Sequence, residues 1–438
     1  LRGETAAPGD KSISHRAALF AAMAEGDSRI ENYLVSGVTN AMLTALTALG
    51  TPWALNGTTL QVHGMGRMGF YPPQEPIYCG NSATTLRLLA GALAASGLPA
   101  VLDGSPSLCR RPMDRIVEPL RSMGVPVETA EGGCAPLQLG HRPALTPLKP
   151  LVYVMPVASA QVKSCLLLAA LSASGPSVIS EPSVSRDHTE RMLSGMGVQI
   201  ETRFHTTQKQ TRIPVIRLIP PTKALQPLNI AIPADFSAAA FLIVAALTAP
   251  DSDIVIPRVG LNPTRIGLLQ TLVEMGANIT VSQQNWQSGE PVGDLRVRTS
   301  RLRGVAVSGE RVVQMIDEFP AFAVAAAFAE GQTTVTQAQE LRYKESDRIS
   351  ALCQELQRQG ADLMELPDGF VVNGEGHLPG GQTVDAHGDH RLAMALAAAG
   401  VGSDRPVTVE NAEIMAESFP DFSHALEALG ADVHEVEA

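Results

Sequence analysis

At 438 residues the chain is longer than one ordinary domain, so two domains that each bury a core are expected. Its 33 basic and 44 acidic residues leave a net charge of −11, and only 4% are aromatic, a balance that disfavours nucleic-acid binding and makes clustered cations informative. Five cysteines without a CxxC pair read as reduced thiols of a cytoplasmic protein, and the longest apolar run, 236–249, is too short to span a membrane.

Pro8-Gly9 reads as a turn, with Ser12 or Ser14 capping the helix that follows. That helix, 17–24, is apolar on nearly every face and is expected to be buried. Its dipole-positive end would lie beside Lys11, Ser12 and Arg16, a suitable place for a phosphate or carboxylate. A capped core helix with solvated charges would carry the same residues. Five more Ala/Leu-rich segments follow at 83–95, 160–173, 237–248, 320–329 and 392–399. Polar groups gather at their starts: Asn81, Ser82 and Thr84; Ser159, Gln161 and Lys163; Asp235 and Ser237; Asp317 and Glu318; His387, Asp389, His390 and Arg391. Six such ends around one cleft would suit a ligand with several negative groups, while Asp235 and Ser237 read as plain caps.

Amphipathic segments alternate with these helices and end at Gly50, Gly124, Gly197, Gly276, Gly360 and Gly430, spaced 70 to 84 residues apart. One, four and eight residues before each Gly an apolar stripe recurs, complete in four cases and two-thirds complete at Gly197 and Gly360. Helix starts are expected at Thr39, Pro112, Asn262-Pro263 and Ser418, and strands near 61–63, 125–128 and 407–409. The pattern predicts an α/β repeat protein of three units twice over, with the Pro-rich stretch 214–233 as the crossing between lobes.

Three further charged stretches stand out. Lys344 and Arg348 would lie one turn apart on a single helix, with Glu345 to the side. Arg110-Arg111-Pro112 would open a helix where cations oppose the dipole, and 185–189 (Ser-Arg-Asp-His-Thr) has similar character. His387 and His390 have no evident third ligand, so no metal is expected.

The motifs PGDKSISHRA, GNSATTLRLL, RRPMDRIVEPL, SAQVKSCLLLAAL, SRDHTERML, LRYKESDRI, GDHRLAMALA and SFPDF occur in this order across nearly the whole chain. Together they resemble the 5-enolpyruvylshikimate-3-phosphate synthases of the enolpyruvyl transferase family. The resemblance implies a two-lobed inside-out α/β barrel, each lobe of three βαβαββ units with buried parallel helices and outer sheets. It implies an N-terminal lobe of 11–228, a C-terminal lobe of 1–10 plus 229–438, and an active site in the cleft between them.

The implied reaction joins phosphoenolpyruvate to the 5-hydroxyl of shikimate 3-phosphate through a tetrahedral ketal and releases phosphate. No cofactor is implied; the partners are these two small molecules, with no nucleic acid, no membrane and a monomeric chain. By motif match, Lys11, Ser12, Arg16, Ser159, Ala160, Gln161, Arg186, Asp317 and Lys344 would bind shikimate 3-phosphate. Lys11, Asn81, Ala83, Arg111, Gln161, Arg348 and Arg391 would bind phosphoenolpyruvate. Asp317 would take the proton of the 5-hydroxyl, and Lys11 or Glu345 would protonate the enol methylene.

Ala83, Leu88, Ala160 and Glu417 stand where the better-known form of the family has Gly, Pro, Ser and Lys. Several of these changes resemble the second class, which includes glyphosate-tolerant enzymes, so tolerance is expected. Two alternatives share the general pattern: a UDP-N-acetylglucosamine enolpyruvyl transferase, whose loop cysteine has no counterpart here because Cys109 directly precedes Arg110-Arg111, and a non-catalytic anion-binding repeat protein.

Overall fold

The computed structural model describes residues 1–143, 146–206 and 212–436. The chain divides into two compact units. The first comprises Gly9–Ile232 with Gln287–Gly289; the second comprises Leu1–Pro8, Pro233–Trp286 and Glu290–Ala438.

The first unit holds helices α1 (Lys11–Met23), α2 (Gly37–Ala48), α3 (Ala83–Ser96), α4 (Asp114–Ser122), α5 (Ala160–Ala170) and α6 (His188–Gly195). The second holds α7 (Phe236–Thr248), α8 (Gly267–Glu274), α9 (Glu310–Gln314), α10 (Phe319–Ala327), α11 (Arg348–Arg358), α12 (His390–Gly402) and α13 (Phe422–Ala428). The six Ala/Leu-rich segments are α1, α3 and α5 in one unit and α7, α10 and α12 in the other, and these helices run through two separate apolar cores. In α7 every residue from Phe236 to Leu247 is buried, as a helix without a polar face requires.

Close packing fixes how near two of these helices lie. Gly91 of α3 lies against α5 so tightly that a Cβ would come 2.3 Å from the Cys165 carbonyl oxygen. Any larger residue there would push the two helices apart.

The sheets repeat with the helices. In the first unit Glu25–Glu31, Ala100–Asp103 and Ser177–Ser180 each pair in parallel with one short strand and antiparallel with the outgoing arm of a hairpin. The same plan holds for Glu330–Val335 in the second unit. Arg2–Glu4 supplies the parallel edge beside Asp253–Gly260. The sixth sheet keeps only its parallel pair, Thr383–Asp385 with Thr408–Glu410.

All six expected terminal glycines have left-handed backbone, with φ from 77° to 97°. Every residue of the stripe preceding them is buried, including Thr189 and Gln359, which break its apolar pattern. The helix starts differ from expectation. Asp10, not Ser12 or Ser14, caps α1 by accepting from the Ile13 N–H at 2.8 Å. Ser36 caps α2, with Thr39 completing a capping box. The helices expected at Pro112, Asn262-Pro263 and Ser418 begin at Asp114, Gly267 and Phe422. Of the Pro-rich stretch, 214–219 belongs to the strand Arg212–Ile219.

Candidate active site

In the first unit the cationic residues meet at the starts of α1, α3 and α5. Arg16 is buried, and its guanidinium spans three elements: Nε donates to Thr189 Oγ1 at 2.8 Å, Nη2 to Ser164 Oγ at 2.8 Å and Nη1 to the Ser12 carbonyl at 2.9 Å. Arg186, just before α6, donates to Ser12 Oγ at 3.3 Å. Lys11 and Ser12 form the first turn of α1, so Arg16 and Arg186 close around that turn.

Asn81 accepts from Arg111 Nη2 at 3.3 Å and from Ser105 Oγ at 3.2 Å. Arg111 does not open a helix. It follows the short 3₁₀ turn Leu108–Arg110 in extended backbone, so the cation carries no dipole penalty. Ser159 caps α5, placing Ala160 and Gln161 in its first turn, and Ala83 opens α3 at 5% exposure. Gln161 donates to Thr84 Oγ1 at 2.9 Å and accepts from Arg87. Arg87 was not among the expected site residues, yet it is the only charged residue of α3, a signal present in the sequence.

Behind this group lies a buried charge network. Lys163, 2% exposed, sits 2.9 Å from Glu181 Oε1 and 2.8 Å from Glu190 Oε1. Burial opposes its charge, but the two carboxylates outweigh that and hold its pKa above the ordinary lysine value. Glu181 also accepts from the N–H and hydroxyl of Ser185, fixing the backbone that leads into Arg186.

In the second unit the cluster centres on Asp317, 15% exposed on its side chain. Lys344 Nζ lies 3.3 Å from its Oδ1, Arg348 Nη1 3.6 Å from Oδ1 and Arg391 Nη2 3.7 Å from Oδ2. Lys344 and Arg348 do not share a helix. Asp347 caps α11 at Arg348, and Lys344 precedes it in extended backbone. The two cations still converge, through the loop rather than through helical spacing.

Arg348 is 1% exposed and held by Asp389 at 2.7 Å and Glu345 at 2.6 Å. Burial works against its charge, but Asp389, Glu345 and Asp317 together raise its pKa above the usual arginine value. Asp389 also caps α12 by accepting from the Arg391 N–H at 3.0 Å. Asp235 is more than a cap: it accepts from Ser237 N–H at 2.8 Å and from buried Arg265 at 3.2 Å. Ser237 in turn donates to Glu318, the neighbour of Asp317.

The two histidines of the HxxH pair have separate partners. His387 Nε2 lies 2.9 Å from Glu355, and His390 Nδ1 3.5 Å from Glu417. Among the described residues no three His, Cys, Asp or Glu side chains group as a metal site would require. No helix among them is long and apolar enough to cross a membrane.

The family model for EPSP synthase (3-phosphoshikimate 1-carboxyvinyltransferase) matches residues 1–426. The chain belongs to the EPSP synthase family. A 3-phosphoshikimate 1-carboxyvinyltransferase from Xanthomonas campestris is 46% identical over 434 residues, covering 98% of this chain and 95% of that one. Its counterpart from Methylococcus capsulatus is 43% identical over 99% of this chain and 96% of its own. An EPSP synthase structure from Acinetobacter baumannii superposes with a TM-score of 0.84 at 38% identity, covering 98% and 96% of the two chains. The enolpyruvyl transferase NikO from Streptomyces tendae shares the fold, with a TM-score of 0.76 at 20% identity over 100% of this chain and 96% of that one. The two-lobed α/β architecture expected from the motifs is therefore that of the EPSP synthase family.

Proposed function

We propose that this chain transfers the enolpyruvyl group of phosphoenolpyruvate to the 5-hydroxyl of shikimate 3-phosphate and releases phosphate. Both clusters serve one pair of substrates in this reading, with the N-terminal residues on the shikimate phosphate side. The observation that carries it is Asp317, a carboxylate with Lys344, Arg348 and Arg391 within 3.7 Å. A base for the 5-hydroxyl must stand beside cations that hold the phosphates and carboxylates of both substrates, and arginine suits those groups.

Asp317 removes the hydroxyl proton as the 5-oxygen bonds to C2 of phosphoenolpyruvate. Lys11 or Glu345 delivers a proton to the methylene carbon, giving a tetrahedral ketal. The C2–O bond to phosphate then breaks, and a methyl proton leaves to restore the double bond. Lys11, Asn81, Ala83, Arg111, Gln161, Arg348 and Arg391 hold the donor; Lys11, Ser12, Arg16, Ser159, Ala160, Gln161, Arg186, Asp317 and Lys344 hold the acceptor. Fixed donors and cations around the ketal lower the barrier without reorganising as charge develops.

The acidic composition and five unpaired cysteines support a cytoplasmic enzyme, read here as a monomer. Ala83 supports tolerance of glyphosate, because its methyl occupies the first turn of α3 where glycine would leave space. Phosphate release from phosphoenolpyruvate, assayed with shikimate 3-phosphate, with UDP-N-acetylglucosamine and with neither, tests the reading. Release with shikimate 3-phosphate alone is expected; release only with the nucleotide sugar, or none at all, would reject it.

A further inference from the structure

Arg342 lies in the 3₁₀ turn Gln339–Tyr343, two residues before Lys344. An arginine has five N–H donors, and all five here have an acceptor. Nε donates to the Pro367 carbonyl at 2.9 Å. Nη1 donates to Asp347 Oδ2 at 2.7 Å and to Ser350 Oγ at 3.0 Å. Nη2 donates to Glu365 Oε1 and to the Leu366 carbonyl, both at 2.8 Å. Ser350 Oγ donates onward to Glu365 at 2.7 Å, closing the cluster.

The arrangement contributes little to stability. Arg342 is 22% exposed and Asp347 and Glu365 are 41% exposed on their side chains, and exposed ion pairs add little to folding. What it does is geometric. The guanidinium joins the 365–367 turn to both ends of a short span, 342 and 347. Between those ends the chain presents Lys344 to Asp317 at 3.3 Å, Glu345 to Arg348 at 2.6 Å and Ser346 to Asp389 at 3.2 Å.

We propose that Arg342 is a positioning residue that holds Lys344 and Glu345 in their working places by fixing the two ends of the loop that carries them. The inference rests on the functional reading above. Arg342 itself has no donor left for a substrate, so it acts only through its neighbours.

Two variants separate geometry from charge. Arg342→Lys keeps the charge and loses the fork. Asp347→Asn keeps one oxygen to cap α11 through Ser350 N–H, where Oδ1 now accepts at 3.2 Å, and puts an NH₂ where Arg342 needs an acceptor. Each is expected to lower kcat roughly 10- to 100-fold, the usual effect of small misplacement, with little change in unfolding temperature. Should Arg342→Lys fail to fold, Asp347→Asn decides.

A double-mutant cycle supplies a readout that general loosening would not move. In a Glu345→Gln or a Lys344→Ala background, whichever residue carries the effect, Arg342→Lys should lower kcat far less than in the native chain. An undiminished further loss in both backgrounds, or native kcat in both folded single variants, would overturn the proposal. Wild-type turnover with both substrates is measured first. Its absence would reject the functional reading, whereas normal wild-type turnover with unaffected variants would reject this inference alone.

Discussion

His15 Nδ1 lies 2.7 Å from the Lys11 carbonyl oxygen, one turn back along α1. Its Nε2 lies 3.1 Å from both the Val38 carbonyl oxygen and Ser82 Oγ. Ser82 caps α3, so one imidazole links the starts of two helices that carry site residues. Burial, first, and the nearby charges of Lys11 and Arg16 push its pKa down to about 4, against the Lys11 and Val38 carbonyls, which favour the proton.

The sign follows from proton counting. Between about pH 6.5 and pH 4 the unfolded chain binds the proton and the folded chain does not, so stability is lost as pH falls through that window. The loss attributable to His15 is about 3 kcal/mol. Urea unfolding at pH 7 and pH 4.5 should show a smaller acid-induced loss for His15→Gln than for the native chain. Equal losses would mean that the imidazole charges freely in the fold.

Gln359 is fully buried at a stripe position otherwise taken by Leu49, Met123, Met196, Met275 and Leu429, and neither end of its amide has a hydrogen-bonding partner among the described residues. A buried, unsatisfied amide costs roughly 1–3 kcal/mol. Gln359→Met, similar in size, should therefore raise the urea midpoint without altering turnover. A lower midpoint would show that the amide is satisfied in solution.

The repeat was legible because each unit writes it in local chemistry: an apolar helix, a stripe, a glycine. The buried stripes and the left-handed glycines at 50 through 430 follow from that chemistry. Helix starts were less legible, since Asp10 and Ser12 are both good caps and only backbone geometry chooses between them. Lys344 and Arg348 converge although Asp347 breaks the helix assumed to join them. The network of Lys163, Glu181 and Glu190 draws on three elements, so no local pattern announces it. The sixth sheet is shorter than its five counterparts, and the sequence period does not reveal that loss.

Asp317→Ala should lower kcat by roughly 10²–10⁴-fold, the usual contribution of a positioned base, with a smaller effect on the KM for phosphoenolpyruvate. Steady-state kinetics on the folded variant check this. A change confined to KM would make Asp317 a positioning group for the cations around it.

Glyphosate inhibition of the native chain should be weak, and Ala83→Gly should become sensitive while keeping its phosphoenolpyruvate KM within a few-fold. An intruding methyl in a tight site costs ~1–3 kcal/mol, about 5- to 150-fold in affinity. Paired inhibition curves at fixed substrate decide it. Equal inhibition constants would show that the methyl does not reach the ligand.

The central claim is that a carbon atom, not a phosphorus atom, is attacked. Phosphoenolpyruvate labelled with ¹⁸O in the oxygen that bridges C2 and phosphorus tests this directly, with mass analysis of the products formed with shikimate 3-phosphate. Attack of the 5-oxygen on C2 sends the label wholly into inorganic phosphate and leaves an unlabelled enol ether on the shikimate ring. Label retained on the three-carbon product would mean cleavage between phosphorus and oxygen, and would contradict enolpyruvyl transfer by this chain.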